Sequence, residues 1–225
     1  MINPKDYLEM GIKFHGHKCP AQPMGLRAGA LAMNTLGVER SKSSEVICLI
    51  EIGFDHCATC FADGVQVITG CTFGKGNIYR LNYGKFGVTL IDKKNKKAIR
   101  VVPKAEAMER NKKSPFFTEY RMKGIPAEGV PSEIVDPLIE SVMNAKDEDL
   151  FNISNVFDYE FKDAPHPFRT VRCSVCGEFM LEHYAHIVDG KPVCEYCHNK
   201  MMGYDTIETV QPVTARKITT VPLKK

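Results

Sequence analysis

The chain has 225 residues, 44% of them hydrophobic and 25% charged, with a net charge of +3 from 30 basic and 27 acidic side chains. That composition excludes a disordered or collagen-like chain and leaves enough apolar material for a sizeable core. So small a charge excess gives no support to a large nucleic-acid footprint, and nucleic acid is not an expected partner. No stretch reaches the ~18 apolar residues that a membrane helix needs. The first ten residues lack a basic region followed by an apolar one, so no secretory signal is read there. The expectation is a cytoplasmic protein with no membrane partner. Its nine cysteines then serve metal or thiol chemistry and not a disulfide framework.

Taken in chain order, Asn3 is a suitable N-cap, Pro4 suits the first helical position, and Asp6 favours the first turn of an opening helix. A His/Cys-rich loop is expected over residues 15–20. A second helix is expected over 24–36, stopped by Gly37. Its small residues Gly25, Ala28, Gly29 and Ala32 predict close packing on a sheet. Residues 45–53 read as a buried strand and 60–69 as a helix ended by Gly70. Strands follow at 77–83, 86–91 and 98–102, the last two flanking a polar turn at 92–97. Helical patterns fill 103–145, with Pro137 marking a kink or boundary. One more strand is expected at 153–161. This order suggests an α+β or mixed α/β fold.

Residues 162–168 are polar and contain Pro165 and Pro167, which reads as an extended linker. The expected domains are therefore 1–162 and 163–225. In the second, Cys173, Cys176, Cys194 and Cys197 follow a C-x2-C-x17-C-x2-C spacing, typical of a structural zinc site. Each C-x-x-C turns two thiolates toward one point, and four thiolates complete a tetrahedron around zinc. Gly177 permits the knuckle turn, Asp189 and Gly190 read as a hairpin turn, and residues 198–202 as a short helix. Together these look like a treble-clef finger. His183, His186 and His198 read as surface or packing residues. The tail from 204 is either a strand that packs across a dimer partner or a mobile end.

Three segments of the first domain carry chemistry. His15, His17 and Cys19 alternate, and in an extended loop alternate side chains share a side. Imidazole with thiolate suits zinc and other borderline or soft metals. Cys57 and Cys60 form a C-x-x-C between a strand and a helix, where the helix dipole lowers a thiol's pKa. Whether both of these cysteines face the cleft, or Cys60 alone, stays open. Cys48 reads as a buried small hydrophobe. The glycine-rich turn at 70–77 fails the phosphate-loop spacing by one residue and reads as a helix-to-strand turn. It could place Cys71 and Lys75 at the rim of the same cleft.

These three segments, in this order, resemble the FmdE family, named for one of the subunits of molybdenum formylmethanofuran dehydrogenase. The resemblance rests on residues 14–20, Gly25 to Ala28, Cys60 with Asp63 and Gln66, residues 69–77, and Tyr83 to Lys85. It implies a thioredoxin-like α+β core with a mixed sheet flanked by helices, a zinc-binding active site, and a C-terminal treble-clef zinc finger. Carried over, His17, Cys19 and Cys60 are the expected catalytic residues, and His15 joins them as a metal ligand. Ala21 stands where the family has glycine, and Cys57 is additional to the family's pattern. The implied role is a metal-binding accessory or relative of molybdenum or tungsten formylmethanofuran dehydrogenase, with that enzyme's subunits as partners. Apart from the resemblance, a homodimer is the expected assembly. A thiol-based redox protein, or a zinc- or cysteine-dependent enzyme of unnamed substrate, is the alternative.

Overall fold

The computed structural model describes residues 1–53, 59–163 and 168–204. Cys57, the linker's residues 164–167 and the tail from 205 onward therefore lie outside the described residues. The chain divides into two compact units, residues Met1–Phe161 and Lys162–Lys225.

The first unit opens with a short 3-10 turn, Pro4–Tyr7, capped by the Asn3 side chain, which accepts from the Lys5 amide. Helix α1 (Leu8–His15) ends at Gly16. Helix α2 (Ala21–Leu36) begins three residues before the expected start. Pro20 and Pro23 explain the earlier start, because a proline in the first turn removes no intrahelical hydrogen bond. Strand β1 (Val46–Ile50) leads to helix α3 (Cys60–Thr69), and Gly37 and Gly70 close α2 and α3 in the left-handed conformation. Strands β2 (Ile78–Arg80), β3 (Val88–Asp92) and β4 (Lys97–Pro103) follow.

The expected helical stretch holds α4 (Ala105–Lys112), a π-turn at Phe116–Tyr120 and α5 (Ser132–Asn144). Helix α5 runs through Pro137, so no boundary falls there. Val135, Ile139, Val142 and Met143 bury one face of it, and that burial outweighs the hydrogen bond that the proline forgoes. A single turn, α6 (Asp147–Leu150), precedes β5 (Phe151–Ile153) and β6 (Phe157–Asp158). The one strand expected at 153–161 is thus two short ones, both paired with β4.

The sheet order is β2-β1-β3-β4-β5. Strands β1 and β2 are parallel and joined through α3, while β3 and β4 form an antiparallel hairpin. This is the mixed sheet expected of the thioredoxin-like core. Its strands alternate as the period of two requires. Val46, Cys48, Ile50, Val88, Leu90, Ile99 and Val101 pack with residues of α2 and α3, whereas Ile47, Ile91 and Ala98 face the other way. Cys48 is fully buried, as expected, and burial raises its thiol pKa well above the usual range.

The small-residue stripe of α2 serves a different neighbour from the expected one. A β-carbon on Gly25 would overlap the carbonyl oxygen of Phe61, and one on Gly64 would overlap that of Gln22. Gly29 instead makes room for the Ile68 side chain. Only Ala28 and Ala32 reach the sheet core. The helix pair α2/α3 therefore packs backbone to backbone through reciprocal glycines. Arg27 is buried in the same helix and donates to the Val142 and Ala145 carbonyls at 2.6 and 2.8 Å, capping the end of α5.

The second unit, taken by itself, has two antiparallel hairpins, β7/β8 (Thr170–Arg172, Phe179–Leu181) and β9/β10 (His186–Val188, Lys191–Val193), then helix α7 (Glu195–Met202). Gly177 and Gly190 take the left-handed conformation that their turns require. Its buried cluster consists of Cys173, Val193 and Cys197 alone among the described residues.

Candidate metal centre

Two adjacent helix starts build the site in the first unit. Cys60 is the first residue of α3, and Cys19 sits two residues before α2. The glycine contacts between these helices bring the two thiols together. His15 is the last residue of α1, not part of an extended loop as the sequence suggested. What brings His15, His17 and Cys19 to one point is the left-handed turn at Gly16 (φ 90°), which reverses the chain after α1. Lys18, between His17 and Cys19, is held by both carboxylate oxygens of Asp136 on α5, at 2.8 and 2.9 Å.

The donor atoms of His15, His17, Cys19 and Cys60 all lie within 4.8 Å of one another. The Nε2 atoms of His15 and His17 are 3.1 Å apart. Two zinc–nitrogen bonds of ~2.0–2.1 Å at the tetrahedral angle put their nitrogens roughly 3.3 Å apart. The pair therefore fits one shared ion, and two imidazoles with two thiols form a donor set for zinc or a neighbouring borderline metal.

A hydrogen-bonded chain orients His15. Its Nδ1 lies 2.8 Å from Asp63, Gln66 donates to the same carboxylate at 3.3 Å, and the Phe73 amide donates to Gln66 at 3.1 Å. A carboxylate on Nδ1 fixes the tautomer that leaves Nε2 for a metal. The Asp63 contact, with smaller help from Cys60, raises the His15 pKa to about 9. Burial and the His15 charge lower that of His17. In the metal-free state, one proton on His15 Nε2 thus points at a neutral His17, in the place an ion would take. Replacing Asp63 with asparagine should return the His15 titration toward ~6.5, measured by imidazole NMR on metal-free protein. A value that stays near 9 would remove Asp63 from this role.

The thiols divide unequally. Cys19 is 4% exposed. The Cys60 thiol and the amides of Gln22 and Ala21 stabilise its thiolate and lower its pKa. Cys60 rises, because its hydrogen bond to Cys19 and its burial both disfavour a second negative charge. The first proton to leave therefore belongs to Cys19.

A cleft of about 410 Å³ opens on this cluster, lined by His17, Cys19 and Cys60 on one side and by Phe116, Phe117, Arg121, Pro126, Ala127 and Glu128 on the other. This second wall carried no signal in the sequence beyond a helical pattern. Cys71 and Lys75 do not reach the cleft. Cys71 is fully buried, its sulfur 3.4 Å from the Val46 carbonyl, and Lys75 donates to the Ser41 carbonyl at 2.9 Å. The glycine-rich turn is organised by Asn77, which donates to Ser41, Ser43 and Val46 and so tethers the approach to β1.

In the second unit, Cys173, Cys176, Cys194 and Cys197 also converge within 4.8 Å. The sulfurs of Cys176 and Cys194 are 3.9 Å apart. Two zinc–sulfur bonds of ~2.3 Å at the tetrahedral angle give roughly 3.8 Å. The His186 and His198 rings stack at 3.9 Å, and His186 also pairs with Glu195.

Residues 14–152 match the family described as FmdE, Molybdenum formylmethanofuran dehydrogenase operon. This chain belongs to the FmdE family. The matched span holds the His/Cys cluster and both walls of its cleft, and the cysteine quartet lies beyond it. A curated relative, a "Probable S-adenosyl-L-methionine-binding protein" of Archaeoglobus fulgidus, is 30% identical over 179 residues, 75% of this chain and 47% of that protein. The chain thus spans about half the length of the curated relative it matches. A crystal structure of an FmdE-like protein of the tungsten formylmethanofuran dehydrogenase type, from Syntrophus aciditrophicus, superposes with a TM-score of 0.59 at 22% identity. It covers 88% of this chain and 92% of that one, and it shows the shared fold. Among the described residues no helix is long and apolar enough to cross a membrane.

Proposed function

We propose that this FmdE-family protein is a zinc-binding accessory or relative of molybdenum or tungsten formylmethanofuran dehydrogenase. His15, His17, Cys19 and Cys60 hold one ion in the core, and the cysteine quartet holds a second, structural one in a treble-clef finger. The observation that carries this reading is the convergence of four donors within 4.8 Å, with His15 already oriented by Asp63. A bound ion would act there as a Lewis acid only by adding a fifth donor to the four that the protein supplies. The chain's own residues hold His15 in one tautomer, favour the Cys19 thiolate, and wall the cluster with apolar side chains. His17, Cys19 and Cys60 line the cleft and so are the residues that a substrate would meet. The quartet closes its own ion with four sulfurs and leaves no open position. The family's namesake supports the link to that enzyme's subunits, and the reducing cytoplasm and a homodimer complete the reading.

Metal content tests this directly. Full-length protein purified without added metal should carry two ions per chain, and the Cys19→Ser/Cys60→Ser variant one, with the fold retained. Equal metal content in the two proteins would overturn the reading.

One observation favours a second reading. The Cys19 and Cys60 thiols hydrogen-bond each other, with one pKa lowered and the other raised, as in a dithiol poised for oxidation. A thiol-redox role predicts a Cys19–Cys60 disulfide that forms reversibly in metal-free protein.

A further inference from the structure

The wall that faces the metal cluster is built as a separate device. The Phe116 and Phe117 rings meet edge to face at 5.1 Å on a single π-turn, a geometry frequent at functional sites. Phe116 is buried in a cluster of its own with Val130, Val135, Ile139 and Met143 on the α5 side. The aromatic wall is thereby fixed independently of the sheet. Beyond it stand two opposite charges. Arg121 is oriented by donating from Nη1 to the Ile125 carbonyl at 2.7 Å, and Glu128 lies on the same cleft. Both line the same cleft as His17, so both charges stand beside the cluster.

We propose that this cleft binds a small organic monocarboxylate: a flat, ring-sized apolar body against Phe116, Phe117 and Pro126, its carboxylate at Arg121, its opposite end at the His/Cys cluster. The volume of about 410 Å³ admits such a body with room at both ends. Arginine's fork matches a carboxylate. The Glu128 charge disfavours a second negative group, so a phosphate or dicarboxylate fits less well. The apolar wall gives no return for a fully polar ligand. This inference rests on the metal reading only for the end that faces the cluster.

The test titrates metal-loaded, full-length protein with benzohydroxamate and with 4-carboxybenzohydroxamate by calorimetry. The carboxylate probe should bind about tenfold tighter, the worth of one charge-assisted hydrogen bond. Arg121→Ala should erase that preference, and Phe117→Ala should weaken both probes. Glu128 is exposed, so Glu128→Gln leaves the fold undisturbed and should widen the preference by removing a like charge. Equal affinity for the two probes, or a preference untouched by Arg121→Ala and Glu128→Gln, would overturn the proposal. Metal is counted in the same samples. If the core holds none, the metal reading fails by itself, and the cleft is read with 4-methylbenzoate against 4-methylbenzamide. There, an acid preference that depends on Arg121 supports the proposal, and its absence overturns it.

Discussion

Gly64→Ala is expected to destabilise the core unit by about 3 kcal/mol or more, at the upper end of overpacking effects. The reason is geometric. An added β-carbon at Gly64 would collide with the Gln22 carbonyl and lie 2.7 Å from the Leu26 amide. These are backbone atoms in the first two turns of α2, so no side-chain rotation relieves the overlap, and the helices must separate. Gly25→Ala should act alike, since it meets the Phe61 carbonyl across the same crossing. Gly74→Ala is the control: nothing lies within 4 Å of its β-position, and stability should barely move. Denaturant unfolding of the three variants measures this.

The same substitution reaches the candidate metal centre. Gln22 stands three residues after Cys19, and Gly64 four after Cys60. Forcing α2 and α3 apart at this crossing moves the two thiols apart. Metal affinity of the core should therefore fall in Gly64→Ala even under conditions where the variant stays folded.

The second large effect is chelation of the cysteine quartet. Among the described residues of this unit, three buried ones cannot offset the chain entropy, and two of those three are cysteines. Structural zinc contributes about 10–16 kcal/mol to comparable small sites. Adding a strong chelator under reducing conditions should therefore unfold residues 168–204 completely. The sheet of the first unit should remain, because its core includes Ile50, Val65, Leu90 and Ile99, all buried apolar side chains. Amide NMR should show collapse of the quartet's resonances to random-coil positions with those of β1, β3 and β4 unmoved. Retained dispersion in the quartet after metal removal would contradict this account.

Much of this was legible in the sequence because it rests on local rules. The helix stops at Gly37 and Gly70, the hairpin joining β3 to β4, and the cysteine quartet each depend on residues close in the chain. The His15, His17 and Cys19 spacing announced a cluster, although the alternation argument gave the wrong cause. The decisive feature is one left-handed glycine between a helix and a loop, which spacing alone does not distinguish from an extended strand. The partner of the α2 glycines was also misassigned. A stripe of small residues says that something comes close, and only the fold says that it is α3 and not the sheet. The cleft wall was hidden for a related reason. Phe116, Phe117, Arg121 and Glu128 reach the cluster from about a hundred residues away, through irregular turns that carry no periodic signal.

Metal-edge X-ray absorption on the full-length protein, with two ions bound, tests the central claim most directly. The account predicts an average shell of one nitrogen and three sulfurs per ion. That is the mean of a four-sulfur quartet and a core site of two imidazoles and two thiolates. In Cys19→Ser/Cys60→Ser, where one ion remains, the shell should become four sulfurs. A wild-type shell of four sulfurs with no imidazole would contradict it, because the ions would then lie away from His15 and His17.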